Sequence, residues 1–141
     1  MSAASTKHNK TPNVLSEKTC LALHADAAAA TEKGQCELAC AIYKKILHLQ
    51  PTDSKALLHL GHNAKWLGDP KTALKSLLLI PQDDQYYFDA QLNAGLIFMK
   101  IGHPDTAIRY LCSAIKTQPS SVIALASRAM AYAKIERYEK A

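Results

Sequence analysis

The amino-acid sequence predicts an all-α fold, an α-solenoid in which helix–turn–helix units stack side by side. The main observation is a period of 34 residues that three series of small residues share. The series are Gly34, Gly68 and Gly102; Ala39, Ala73 and Ala107; and Ala27, Gly61, Gly95 and Ala129. Such a period is typical of proteins in which one unit cannot bury its apolar face alone and therefore stacks on its neighbours.

Length and composition agree with one globular domain and exclude several other classes. The chain has 141 residues, 48% of them hydrophobic, so it can bury a core. No stretch approaches the roughly 20 apolar residues of a membrane span, and 4 cysteines are too few for a disulfide-dense mini-protein. The net charge of +5 comes from scattered lysines, which argues against a nucleic-acid partner.

The N-terminus differs in composition from the rest of the chain. Met1 to Val14 are mostly small and polar and contain no apolar segment, so they predict a flexible tail and no secretory signal. Without a signal, we expect a cytoplasmic protein with reduced cysteines. The predicted organisation is a flexible tail at residues 1–15 and a repeat domain at 16–141.

The second period shows why each unit should contain two helices. Residues 54–67 carry apolar side chains at helical spacing, and Thr52 or Asp53 can cap their start. Gly68 can end this helix by adopting the left-handed conformation. Asp69 and Pro70 then open a second helix, because proline fits the first helical position, where no N–H is needed.

The later turns follow the same rules with one exception. The third period repeats the turn at Gly102 and Pro104, and its second helix should run to about Gln118. Pro81 interrupts the second period early. Residues 81–84 therefore predict a looser turn, with the next helix starting near Asp83.

The combined pattern resembles the tetratricopeptide repeat (TPR) family, whose frame sets large, small and turn residues at fixed places. The repeat from residue 88 supplies Gly95, Phe98, Gly102, Ala107, Leu111, Ala114 and Pro119. The resemblance covers residues 17–141. It implies repeats at 20–53, 54–87 and 88–121 and an incomplete repeat at 122–141, wound into a right-handed superhelix. Asp26 and Arg128 at an apolar place, and Glu136 at a turn-glycine place, depart from the frame.

The resemblance also implies a partner-binding groove, because the first helix of each TPR lines a concave wall. The lining places give Lys55, His59, His62, Trp66, Leu92, Asn93, Leu96, Met99, Lys100 and Met130. Trp66 is either an interface anchor or a residue packed between repeats. The alternative for the leucines and methionines of this set is that they lie in the core between repeats and do not line the groove. If the groove interpretation holds, aspartate at Leu96 or Met99 should abolish partner capture without loss of helix.

The sequence contains no recognisable catalytic constellation. Cys36 and Cys40 are one helical turn apart, but two thiols do not make a zinc site and no second pair has matching spacing. His59 and His62 lack a third ligand that the sequence could place beside them. We therefore expect no enzyme activity, no metal and no cofactor.

One TPR function can be compared with the sequence directly, namely the carboxylate clamp for acidic C-terminal tails of heat-shock chaperones. The family's clamp needs a set of Lys, Asn and Arg residues at defined places of three successive repeats. Only Asn93 matches when the set starts at the second repeat, and nothing matches when it starts at the first. We expect a tail of the Glu-Glu-Val-Asp type to bind no better than millimolar.

The leading functional hypothesis is an interaction scaffold that binds an extended or helical segment of a protein partner. The alternatives are a small TPR-type secretion chaperone and the repeat arm of a larger enzyme. Repeat four stops before its second helix, so its apolar face lacks a cover. We therefore expect self-association through this incomplete repeat, or a chain that is part of a longer repeat protein.

Overall fold

The computed structural model describes residues 14–140, with side chains from Ser16 onward. Within this range all regular secondary structure is helical, and each helix packs against the next one along the chain. The helices are α1 (Val14–Glu32), α2 (Cys36–Leu49), α3 (Ser54–Trp66), α4 (Pro70–Leu77), α5 (Tyr87–Lys100), α6 (Pro104–Thr117) and α7 (Val122–Glu139). The predicted all-α stack is confirmed.

A glycine forms the turn inside each of the three helix pairs. Gly34, Gly68 and Gly102 have φ angles of 73°, 74° and 89°. This left-handed region is open to glycine and costly for residues with a Cβ. In each turn, the N–H of the residue after the glycine donates to the carbonyl five residues earlier, at 2.8 to 2.9 Å. These bonds give a carbonyl group near the end of the first helix a hydrogen-bond partner, and they fix where the second helix begins.

Aspartates begin both helices of the second pair, as the sequence predicts. Asp53 Oδ1 accepts a hydrogen bond from the Ala56 N–H at 3.0 Å. Asp69 Oδ1 accepts one from the Thr72 N–H at 3.1 Å, with Pro70 in the first turn of α4. Each carboxylate satisfies a backbone donor that has no partner within its helix.

Small residues in the first helix of a pair let the second helix come close. A Cβ built on Gly61 of α3 would lie 2.7 Å from Leu77 Cγ, and one built on Gly95 of α5 would lie 2.7 Å from Leu111 Cγ. Both leucines are fully buried. The predicted close packing at these two positions is confirmed.

The core is built from two clusters of buried side chains. One cluster draws on α1 to α5 and contains Ile46 and Leu77. The other draws on α5, α6 and α7 and contains Leu111. Since α5 contributes to both clusters, it connects the two halves of the stack.

The predicted start of a helix near Asp83 is wrong. α4 ends at Leu77, and α5 begins only at Tyr87. Asp84 holds the intervening turn, because its Oδ1 accepts the Tyr86 N–H at 2.8 Å and its carbonyl accepts the Tyr87 N–H at 3.1 Å. Such local side-chain bonds offer the backbone an alternative to helix.

The structure departs from the predicted boundaries at both ends. α1 begins at Val14, so residues 14 and 15 of the predicted tail are helical, whereas residues 1–13 lie outside the described range. α7 continues through Glu136 to Glu139, without the turn that the repeat frame would place there. Glutamate is a good helix former, and unlike glycine it does not readily adopt the left-handed conformation that would end the helix.

Candidate partner-binding groove

A groove runs along the first helices of the helix pairs. Side-chain hydrogen bonds connect these helices, from Asn63 Nδ2 to Thr31 Oγ1 at 3.3 Å and from Lys65 Nζ to Asn93 Oδ1 at 3.1 Å. The groove has a volume of 810 Å³. It is lined by Thr31, Gly34, Cys36, His59, His62, Asn63, Lys65, Trp66, Leu67 and Asn93.

The structure brings four of the ten predicted site residues together in this groove. They are His59, His62, Trp66 and Asn93. Lys55 lies beside a separate cavity of 580 Å³, and Lys100 beside a smaller one of 220 Å³. Met130 is 56% exposed on α7, away from these cavities.

The prediction that Leu92 and Met99 line the groove is wrong. Their side chains are 8% and 6% exposed and belong to the core cluster that includes Leu111 and Ala131. That cluster also contains residues of α6 and α7, and both helices pack on α5. Leu96 is half-buried against the same cluster. These residues therefore belong to the core between repeats and do not form an open wall of the groove.

Asn63 is a groove residue that the repeat pattern does not predict. Its side chain is 1% exposed, and its Nδ2 donates to the His59 carbonyl at 2.9 Å as well as to Thr31 Oγ1. A buried amide requires such partners, and here they fix α1 against α3. The available signal was an amide three residues after Leu60, on a helix face that is otherwise apolar.

Lys65 and Asn93 form the polar part of the groove. Burial, and next the nearby Lys100, lower the pKa of Lys65. Asn93 Nδ2 donates to the Asp89 carbonyl at 2.7 Å, which fixes the orientation of the amide. One amide hydrogen and one oxygen lone pair of Asn93 therefore stay available for a ligand.

His59 and His62 form an aromatic cluster with Tyr43. The His59 ring stacks on Tyr43 with centroids 5.5 Å apart, and His62 meets His59 edge-on at 6.1 Å. Burial lowers the pKa of both histidines. Lys55 adds to this effect at His59, and His59 and Lys65 add to it at His62. These interactions favour neutral imidazoles, each of which offers one hydrogen-bond donor and one acceptor.

The lowered histidine pKa values predict a loss of stability in acid. As the pH falls below the ordinary histidine value of 6.5, the unfolded chain takes up protons before folded His59 and His62 do. The free energy of unfolding should therefore fall below that pH and level off once the folded histidines also titrate. Urea denaturation between about pH 7.5 and about pH 5 measures the change. Replacing both histidines with glutamine should make the free energy of unfolding depend less on pH. An unchanged pH dependence would mean that other groups cause the loss of stability.

The cavity beside Lys55 contains a hydrogen-bonded pair of side chains with a structural role. His24 Nε2 lies 2.8 Å from Asp53 Oδ2. The other Asp53 oxygen caps α3, so this carboxylate ties α1 to the beginning of α3.

Further chemistry of the described residues is limited. Among them, no three His, Cys, Asp or Glu side chains form a group that could hold a metal ion. Burial raises the pKa of the Cys20 and Cys40 thiols, which disfavours the nucleophilic thiolate. None of the helices α1 to α7 has both the length and the apolar character needed to cross a membrane.

Stacked helix pairs with a groove along their first helices define an α-solenoid repeat protein. Residues 88–121 match the Tetratricopeptide repeat family. The neighbouring helix pairs share the fold of solved TPR structures. No curated protein matches the chain in sequence.

Several solved structures share this fold. MamA is 24% identical, with 80% of this chain and 62% of MamA covered and a TM-score of 0.75, so the chain spans less than two thirds of that protein. The first TPR of Spaghetti (RPAP3), bound to the HSP90 peptide SRMEEVD, is 13% identical, with coverage of 84% and 94% and a TM-score of 0.78. PcrH, in complex with the chaperone binding region of PopD, is 24% identical, with coverage of 86% and 91% and a TM-score of 0.69. These likenesses confirm the predicted TPR solenoid.

Proposed function

We propose that the protein is a non-catalytic interaction scaffold, which holds an extended or helical segment of a partner protein in the groove. The observation that carries the proposal is Trp66, whose side chain is 80% exposed at the edge of the 810 Å³ groove. A large indole in water gains free energy when a partner covers it, and tryptophan is frequent among interface hot spots. Asn93 and the two groove histidines supply hydrogen bonds that orient the segment.

The likeness to peptide-bound TPR structures supports this class of partner. Both the Spaghetti TPR and PcrH were solved with a segment of another protein. An acidic chaperone tail fits this groove poorly. Leu58 and Ser127 stand where the family's clamp has a lysine and an arginine, and both are buried. Ser127 Oγ is also engaged, since it donates to the Ile123 carbonyl at 2.7 Å.

A second candidate function is that of a small TPR-type secretion chaperone. PcrH was solved in complex with the chaperone binding region of PopD, and the likeness extends over 91% of PcrH, which supports a chaperone of this size. The net charge of +5 argues against it, since the secretion chaperones that this chain resembles in size tend to be acidic. A helix-rich secretion substrate that co-purifies in the groove would favour this candidate over a general scaffold.

Trp66→Ala should weaken partner capture without changing the fold. Partners are first captured from cell extract on the intact chain and identified, and the captured segment is then titrated against both proteins. Loss of a hot-spot tryptophan costs about 2 kcal/mol or more, so we expect affinity to fall by about 30-fold or more. Trp66 is the only tryptophan, so the fluorescence of the unaltered chain reports directly on the groove.

Leu79→Ala is the matched control for this experiment. Leu79 is 62% exposed, lies after α4 and does not line the groove. The control should bind the segment as the unaltered chain does, and both variants should keep their circular dichroism. Equal affinity of the Trp66→Ala variant would refute the groove as the binding site.

A further inference from the structure

An apolar and basic surface borders the groove in the middle of the stack, where α3 and α5 end. Trp66, Leu67 and Ile101 are 80%, 44% and 42% exposed there. Lys65 and Lys100 stand next to them in the chain. These five residues are called the groove rim below. Because α2 packs on α3 and α6 packs on α5, the groove rim is not an end face of the stack.

A small cavity lies within the groove rim. It has a volume of 220 Å³ and is lined by Lys65, Gly68, Pro70, Ile97, Lys100 and Ile101. The side chains around this rim cavity are apolar apart from the two lysines. Lys65 also lines the larger groove, so the groove and the rim cavity meet at its side chain. The rim cavity therefore offers a place for an apolar side chain of a segment that lies in the groove.

The two lysines of the rim carry positive charge that no described carboxylate pairs with. Lys65 Nζ donates to Asn93 Oδ1 at 3.1 Å, and neither lysine forms a salt bridge within residues 16–140. Burial lowers the pKa of Lys65, and Lys100 lowers it further, so the two ammonium groups are close enough to repel each other. A carboxylate between them would accept the remaining N–H donors and relieve this repulsion.

The acidic residues around the rim do not neutralise this charge. Asp69 follows the turn after α3 but does not line the rim cavity, and its Oδ1 caps α4. Asp89 lies in the first turn of α5, about 16 Å along the helix from Lys100. Glu32, at the end of α1, lines neither the groove nor the rim cavity. The lining side chains thus include two ammonium groups and no carboxylate.

We propose that the groove rim selects an acidic segment of a partner protein that also carries several large apolar side chains. This inference rests on the interaction scaffold proposed above and names the chemistry of its partner. The apolar side chains of the segment cover Trp66, Leu67 and Ile101, and its carboxylates bind Lys65 and Lys100. Burial of apolar surface drives the contact, and the opposite charges make it selective.

Other anionic partners fit the groove rim less well. The single valine of a Glu-Glu-Val-Asp tail would leave most of the apolar rim in water. A nucleic acid presents a row of phosphates, whereas the rim has two lysines and is otherwise apolar. A membrane surface requires apolar side chains that protrude into it, whereas Lys65, Lys100 and Ile101 line a concavity.

Selection from a random peptide library displayed on phage tests this chemistry. The library is selected on the intact chain and, separately, on the double variant Lys65→Gln, Lys100→Gln. Glutamine at residue 65 can still donate to Asn93, so the variant removes charge and keeps a hydrogen bond. Peptides selected on the unaltered chain should be rich in Asp and Glu beside large apolar residues. Peptides selected on the variant should lose the acidic residues.

Calorimetric titration then measures the effect on affinity. A peptide selected on the unaltered chain is synthesised with an amidated C-terminus, so that no terminal carboxylate contributes. Its affinity should fall about tenfold or more in the double variant, because charge-assisted hydrogen bonds become neutral ones. Added salt should also weaken binding to the unaltered chain, because it screens the charges.

The double variant Lys75→Gln, Lys116→Gln is the matched control. It changes the net charge equally, and both lysines are exposed on α4 and α6, outside the groove and the rim cavity. It should bind the peptide as the unaltered chain does, and circular dichroism establishes that both double variants remain folded. Weakened binding to this control would assign the effect to net charge and overturn the inference.

The outcomes separate this inference from the proposed scaffold. Peptides without acidic preference, or equal affinity of the rim variant, overturn the inference and leave the scaffold in place when Trp66→Ala still weakens binding. A library from which no peptide is enriched overturns both. Co-sedimentation of the unaltered chain, but not of the rim variant, with vesicles of phosphatidylcholine and phosphatidylserine would assign the rim to a membrane surface and overturn the inference.

Discussion

Replacing Gly61 with leucine should lower the free energy of unfolding by about 3 kcal/mol or more, since overpacking a filled core costs this much in severe cases. Even one added carbon would lie 2.7 Å from Leu77 Cγ and Cδ2, which are fully buried and have no room to retreat. The gain in helix propensity on removing a glycine is about 1 kcal/mol and does not offset this cost. Urea denaturation followed by circular dichroism measures the change.

Two further variants show whether close packing is the cause. Gly61→Ala should destabilise less than Gly61→Leu. Adding Leu77→Ala to Gly61→Ala should cost less than the sum of the two single changes, because the second substitution removes the clash. An unchanged denaturation midpoint in Gly61→Leu would contradict the close-packing role.

The fold could be predicted because its main requirements are local and recur with the repeat. The turns need a left-handed backbone conformation that is costly for residues with a Cβ, and glycine stands there at positions 34, 68 and 102. The close helix crossings leave no room for a larger side chain at Gly61 and Gly95. Each requirement restricts one position to very few residue types, so the period is visible in a single sequence.

The boundaries were predicted less well because two local signals compete there. Pro81 correctly indicated an early break, but the side-chain bond from Asp84 to the Tyr86 N–H extends the turn beyond it. At Glu136 the repeat frame predicted a turn, whereas the residue itself favours helix and α7 continues. At Asp84 and at Glu136 the residue that is present determines the local structure, even where the repeat frame predicts something else.

The candidate site was predicted in part, for a related reason. The repeat frame states which side chains project from the wall, and His59, His62, Trp66 and Asn93 do line one groove. It does not state how far the next helices cover that wall, which depends on packing between repeats. Met99 is therefore buried at a lining place, and Asn63 joins the groove from a place that is not among the lining places of the frame.

Met99→Asp should unfold the protein or reduce its stability by about 4 kcal/mol or more. Removing a buried methionine side chain costs about 2–5 kcal/mol, and a buried polar group without partners adds about 1–3 kcal/mol. Met99 is 6% exposed within the cluster that joins α5, α6 and α7, so the carboxyl group would have no route to water without opening that cluster. The thermal unfolding midpoint, or complete loss of the helical dichroism signal, measures the effect.

Met130→Asp is the matched comparison, because both methionines occupy lining places of the repeat frame. Met130 is 56% exposed on α7, so its carboxylate would stay hydrated, and we expect stability to change by less than about 1 kcal/mol. The contrast separates the two interpretations of the apolar positions. If both residues lined an open groove, the two variants would fold equally well and lose only partner binding. If burial differs as the structure describes, only Met99→Asp loses its helices, whereas equal stability of the two variants would mean that α7 does not cover α5 in solution.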